Sequence, residues 1–207
     1  VDDRQVNLTR FSLFFPEKRD FFLNDADLFE FGRIGSAGYS QNLRSVGRAN
    51  QENGRPFFSR RIGLSPLGTP VRLQYGGKLS GRVGRFTVGA LAVRQDDFES
   101  PTTGRIGASN AFVGRLTSNV LSESSVGVIA TAGDPATGAR NSVVGADFNY
   151  ANTRLPGNRT LEGEVWGLKS STDGVSANDT AFGFGLRVPN ATGFKGGIAA
   201  KQLGRNF

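Results

Sequence analysis

The chain has 207 residues, of which 37% are hydrophobic and 29 are glycine, and its formal net charge is +7. It has neither cysteine nor histidine, which excludes thiol chemistry, disulfides and a Ser-His-Asp triad and removes the commonest metal ligand. No apolar run approaches ~20 residues, so no transmembrane helix is predicted. The basic residues are spread evenly, without a zinc-finger or helix-turn-helix pattern, and no nucleic-acid partner is expected.

Glycine costs roughly 1 kcal/mol against alanine inside a helix, so this composition disfavours a helical bundle and suits a β protein with tight turns. The first ten residues, "VDDRQVNLTR", show no charged-then-apolar leader; an exported protein with this sequence is expected to be a mature form or a fragment. "QVNLTRFSLFF" reads as a strand with Phe11, Leu13 and Phe15 on one face. "FFPEKRDFFLN" then surrounds four charges with phenylalanines, and Pro16 breaks any ladder. Two readings suit it. Phe14, Phe15, Phe21 and Phe22 form an aromatic cluster closed by local pairs among Glu17, Lys18, Arg19 and Asp20, or the same residues form a latch or plug that narrows a lumen. A Gly/Ser/Asn-rich stretch from Gly32 to Gly54 follows, then "RPFFSRRIGL", a predicted short strand carrying Arg60 and Arg61. In a strand these two arginines point to opposite faces and cannot clamp one ligand, so pairing with Glu17 or Asp20 is expected.

From Pro70 the sequence alternates with period two. "VRLQYGGKLSGR" places Val71, Leu73, Tyr75 and Leu79 opposite Arg72, Gln74, Lys78, Ser80 and Arg82. Phe86, Val88, Ala90 and Ala92 share a face, and Phe112 and Leu116 lie opposite Arg115 and Thr117. Val144, Ala146, Phe148 and Tyr150 oppose Asp147 and Asn149. Phe182, Phe184, Leu186 and Val188 oppose Arg187, while Phe194, Ile198 and Ala200 oppose Lys195 and Lys201. The segment "LEGEVWGLKS" fits less well, since Glu162 and Glu164 share a face with Trp166 and Leu168. Short links near 82–85, 119–124, 152–158 and 189–193 alternate with longer polar ones near 96–108, 133–140 and 170–179.

The prediction is an all-β fold of roughly eight antiparallel strands of ~9–11 residues, a length that suits a tilted membrane-spanning strand. A soluble sandwich also alternates, but its apolar face fills a core with large aliphatic residues. Here the polar face is rich in Gly, Arg, Lys, Asp and Asn, and short turns oppose long loops, the inversion seen in outer-membrane barrels. Residues 1–69 are expected to form the barrel mouth or a plug, and residues 70–207 the barrel strands. The candidate lumen-lining residues are Arg72, Lys78, Arg82, Arg115, Asp147, Asn149, Arg187, Lys195 and Lys201. They either line a predominantly cationic pore or pair with carboxylates inside a filled barrel. "GKLSGRVGR" lacks the spacing of a phosphate loop and reads as a hairpin turn. Glu162 and Glu164, as i, i+2 neighbours, invite a glycosidase reading, but nothing in the sequence supplies a cleft or a raised pKa. No enzyme activity, cofactor or metal is expected.

Three motifs in order, "VNLTRFSLFFPEKRDFFLNDADLFEFG", "PFFSRRIGL" and "GGKLSGRVGRFTVGALAV", carry a family resemblance. They are similar to a bacterial family of unknown function (domain of unknown function 5916), in which a family-9-like carbohydrate-binding module precedes an outer-membrane β-barrel. "SSVGVIAT" and "QLGRNF" continue the likeness, while Asn24 stands where the family more usually has an acidic residue. The resemblance implies a bacterial outer-membrane location, lipid as a partner and carbohydrate as a ligand of a module upstream of this chain. It also implies envelope-protein partners and a barrel that continues beyond Phe207. Channel and anchor remain open as roles; the alternative is a soluble all-β carbohydrate-binding or glycoside-processing domain.

Overall fold

The computed structural model describes residues 19–34, 54–66, 69–100, 104–175, 177–190 and 193–207. Eight strands form one antiparallel sheet: β1 (Leu73–Val83), β2 (Phe86–Gln95), β5 (Ser109–Val120), β6 (Ser124–Ala132), β7 (Asn141–Leu155), β8 (Arg159–Thr172), β9 (Thr180–Val188) and β10 (Gly196–Leu203). They are joined in the order β1-β2-β5-β6-β7-β8-β9-β10, an up-and-down meander. The link 96–108 folds back on itself as a small hairpin of β3 (Phe98–Ser100) and β4 (Gly104–Ile106) where a plain polar loop is predicted.

The predicted turn between β1 and β2 is a two-residue connection, with Val83 facing Phe86 across it. Gly84 takes φ +60° there, the conformation that such hairpins demand of a turn residue. Among the described residues the helical pieces are short: α1 (Asp20–Leu23) and two 3-10 turns, Ala26–Phe29 and Ser59–Arg61. None is long and apolar enough to cross a membrane.

The pairing register resolves two faces. One row crosses all eight strands as Val83, Phe86, Ser118, Val126, Phe148, Val165, Phe184 and Ala200. On this outer face large apolar side chains stand exposed, among them Leu79, Val83, Phe112, Phe182 and Ile198. The opposite, inner face is covered by residues 19–34 and 54–65. Phe22, Phe29, Phe31, Ile34 and Ile62 from these segments form one core with Leu91, Val113, Ile129, Trp166 and Leu168 of the sheet.

Two local expectations are corrected. Val71 is buried and Leu73 packs against the core, whereas alternation placed both beside Tyr75 on the outer face. The register slips between Leu73 and Tyr75; one extra residue in a strand reverses the face of everything beyond it. "RPFFSRRIGL" is a turn instead of a strand. The Arg19 guanidinium donates to the carbonyls of Ser59 (3.0 Å) and Ile62 (2.6 Å), which occupies acceptors that a strand would offer to a neighbour. Gly63 then leaves the turn at φ +75°.

Candidate functional site

The inner face and the segment that straps it make up the candidate site. In chain order, residues 21–33 cross the sheet from β1 to β8. Lys78 of β1 donates to the carbonyls of Phe21 (3.1 Å) and Asn24, and the Ser80 hydroxyl donates to Asp25 (2.7 Å). Phe29 lies over Gly89 of β2, and Phe31 reaches Gly145 of β7. The Gly32 amide donates to Asp147 of β7 (3.1 Å), and Arg33 pairs with Glu162 of β8 (2.6 Å). The Arg187 guanidinium of β9 binds the same carboxylate oxygen.

Backbone placement depends on bare glycines at two points. The Trp166 ring lies between Gly32 and Gly183, where an added Cβ would meet it at 2.6 Å on either side; Gly32 also takes φ +53°. Arg115 of β5 reaches across β6 to Asp147 of β7, and a methyl at Gly127 would sit 2.7 Å from its guanidinium. The pair is bidentate, at 2.6 and 2.9 Å, with both side chains buried. Asp147 is further held by the Asn149 amide at 2.9 Å. Arg115 also faces the Phe31 ring, 5.3 Å from its centroid. A buried ion pair is tolerable only when its remaining lone pairs are occupied. Asp147 meets that condition by also binding the strap's own backbone, while the Arg115 Nε is buried without a partner among the described residues.

Of the candidate lumen residues, Lys78, Arg82, Arg115, Asp147, Asn149, Arg187 and Lys201 share the inner face by register. Arg72 and Lys195 are exposed and lie just outside β1 and β10. Arg115 and Arg187 are neutralised by partners, and Lys78 is spent on strap carbonyls. Arg82 is exposed at the turn end of β1.

Of the candidate plug, Phe22 is buried beneath the Arg19 guanidinium, which stands 4.2 Å from its ring centroid. Phe21, Asp20 and Arg61 are exposed. Phe14, Phe15, Glu17, Lys18 and the Arg60 side chain lie outside the described residues, as does the strand read in "QVNLTRFSLFF".

Sequence reasoning missed Arg33, Gln95 and the structural part of Glu162 and Trp166. Gln95, fully buried, takes the Gly63 amide (2.8 Å) and donates to the Pro135 carbonyl (2.8 Å). The usable signal was the misfit in "LEGEVWGLKS". Carboxylates sharing a face with Trp166 and Leu168 mark a surface that another segment covers. Glu162, gripped by two guanidiniums, is not poised as half of a free carboxylate pair.

No family model matches the chain, and no curated protein or solved structure is similar to it.

Proposed function

We propose that this chain is a wall of an outer-membrane-type β-barrel whose interior is occupied by its own residues 19–34 and 54–65, and that it serves as a non-enzymatic membrane anchor. The carrying observation is the apolar outer face, exposed from Leu79 and Val83 on β1 to Ile198 on β10, backed by an inner face that residues 19–34 and 54–65 cover in large part. Soluble monomers rarely expose contiguous apolar patches beyond a few hundred Å², and lipid satisfies such a face. Strand lengths of 9 to 12 residues in β1, β2, β5, β6 and β9 suit a tilted crossing.

An eight-stranded barrel has an interior just wide enough for its own side chains. Phe22, Phe29, Phe31, Ile34 and Ile62, all from outside the sheet, need more room. Open edges are not tolerated in hydrocarbon. In this reading β1 and β10 therefore pair with strands outside this sheet, in a barrel of more than eight. The neutralised Arg115 and Arg187 favour anchor over open cationic channel. The resemblance supplies the load: a sugar-binding module upstream.

Reconstitution tests this. The expected outcome is detergent-dependent solubility, partition into lipid vesicles and no steady conductance in a planar bilayer. Anion-preferring conductance that weakens at high salt would restore the channel. Solubility without detergent would establish the soluble β domain.

A further inference from the structure

Residues 54–62 do not close the inner face completely. At the long-loop end a cleft of about 690 Å³ remains between them and β5–β8, with the C-terminal turn on one side. That volume lies in the range of small-molecule sites. Phe57, Phe58 and Phe207 line it. Phe57 is fixed by a ring contact with Phe29 at 5.5 Å between centroids, and the Arg55 guanidinium stands 5.1 Å from the Phe58 centroid.

Of the charged side chains that line the cleft, two are basic, Arg55 and Arg61, and one is acidic, Asp134. Arg61 is exposed, lines the cleft and has no partner among the described residues. The lining acid, Asp134, is turned toward its own loop, where it accepts from the Ala136 amide (2.9 Å) and the Thr137 hydroxyl (2.6 Å). On the floor, Ser170 accepts from the Asn141 amide (3.0 Å), which leaves its O–H without an acceptor among the described residues. Among the described residues, a guanidinium without a partner, aromatic rings and a hydroxyl without an acceptor line one cleft, a set that matches an anion with a flat apolar body.

We infer that this cleft binds small aromatic carboxylates, the carboxylate on Arg61 and the ring against Phe58 and Phe207. Such a carboxylate accepts two parallel N–H bonds from one guanidinium, which a neutral amide of the same shape cannot. The site stands on the geometry of the cleft and does not depend on lipid around the outer face.

The test uses the refolded full chain in detergent, with benzoate as probe and benzamide as its neutral counterpart, followed by equilibrium dialysis. Trp166, the only tryptophan, lies against the lining residue Gly54 and gives a second readout by fluorescence. Benzoate is expected to bind saturably and at least ten-fold more tightly than benzamide. Arg61→Gln is expected to remove that preference and leave benzamide binding unchanged; Ser170→Ala is expected to weaken benzoate about three-fold. Arg61 sits exposed on a turn, so its replacement leaves the fold intact, checked by unchanged circular dichroism and Trp166 emission. Equal binding of benzoate and benzamide, no saturation by either, or an Arg61→Gln protein that keeps the preference would each overturn the inference. Because the assay is run in detergent, these results are independent of whether the protein partitions into vesicles.

Discussion

Two register rows, one residue apart along the strands, differ in almost every side chain. The outer one runs Val83, Phe86, Ser118, Val126, Phe148, Val165, Phe184, Ala200; the inner one runs Arg82, Thr87, Thr117, Gly127, Asp147, Trp166, Gly183, Lys201. In the outer row Val83, Phe86, Val126, Val165 and Phe184 are exposed, whereas Asp147 and Trp166 in the polar row are buried. In a water-soluble sandwich the burial would be the other way round. The difference teaches that apolar content does not locate the covered face of a sheet. The covered face here is the one whose glycines and polar groups accept another segment's backbone.

The comparison breaks most sharply at Asp147. Asp147→Ala leaves the Arg115 guanidinium and the Gly32 amide buried without their acceptor and is expected to cost ~3–5 kcal/mol. The pair Arg115→Met with Asp147→Leu restores volume without charge and is expected to lose far less, both measured by urea unfolding in detergent. Equal losses in the single and double variants would mean that the stranded Arg115 charge is not what the single variant loses, and would leave the cost with the Gly32 amide, which both variants strip of its acceptor.

A smaller effect is expected on the other row. Phe184→Arg should cost ~2–4 kcal/mol in lipid vesicles if the outer row faces hydrocarbon. If that row faces water, the cost stays within about ±0.5 kcal/mol, as for ordinary surface substitutions. Folding titrations in vesicles decide between the two.

The smallest effect lies at the turn end, outside both rows. Glu123 accepts from the Thr153 amide (2.7 Å) and hydroxyl (2.9 Å), with Arg154 beside it at 3.2 Å, and the amide bond above all holds its carboxyl below its ordinary value. A folded value below the unfolded one, ~4.3, means that the contribution is complete above that pH and is lost as pH falls through the folded value. The protection factor of the Thr153 amide is therefore expected to drop in that window, and to be lower and flat with pH in Glu123→Gln. A flat profile in the unaltered protein would remove Glu123 from the account of the turn.

The alternation of β2, β5, β7 and β9 was readable because each residue's face follows from its parity alone. So were the short turns at one end and the long links at the other, since glycine, proline and asparagine mark them. Leu73 was misread because a bulge leaves no mark in the pattern of apolar residues. The turn at Ser59–Arg61 was misread because it is imposed from outside, by Arg19 from 40 residues earlier in the chain. Arg115 and Asp147 were visible as members of one face, but their bidentate pairing across Gly127 was not.

By itself the sequence determined the strands of the main sheet, their order of turns and loops, and two faces of opposite chemistry, because all three follow from local parity and local turn demands. Only the tertiary structure decided which face is covered, by what, and which charges remain unspent. The strap's contacts join residues more than a hundred positions apart, as Gly32 joins Asp147 and Arg33 joins Glu162. Pairing of that kind depends on where the folded backbone brings donors and acceptors together, and no local pattern records it.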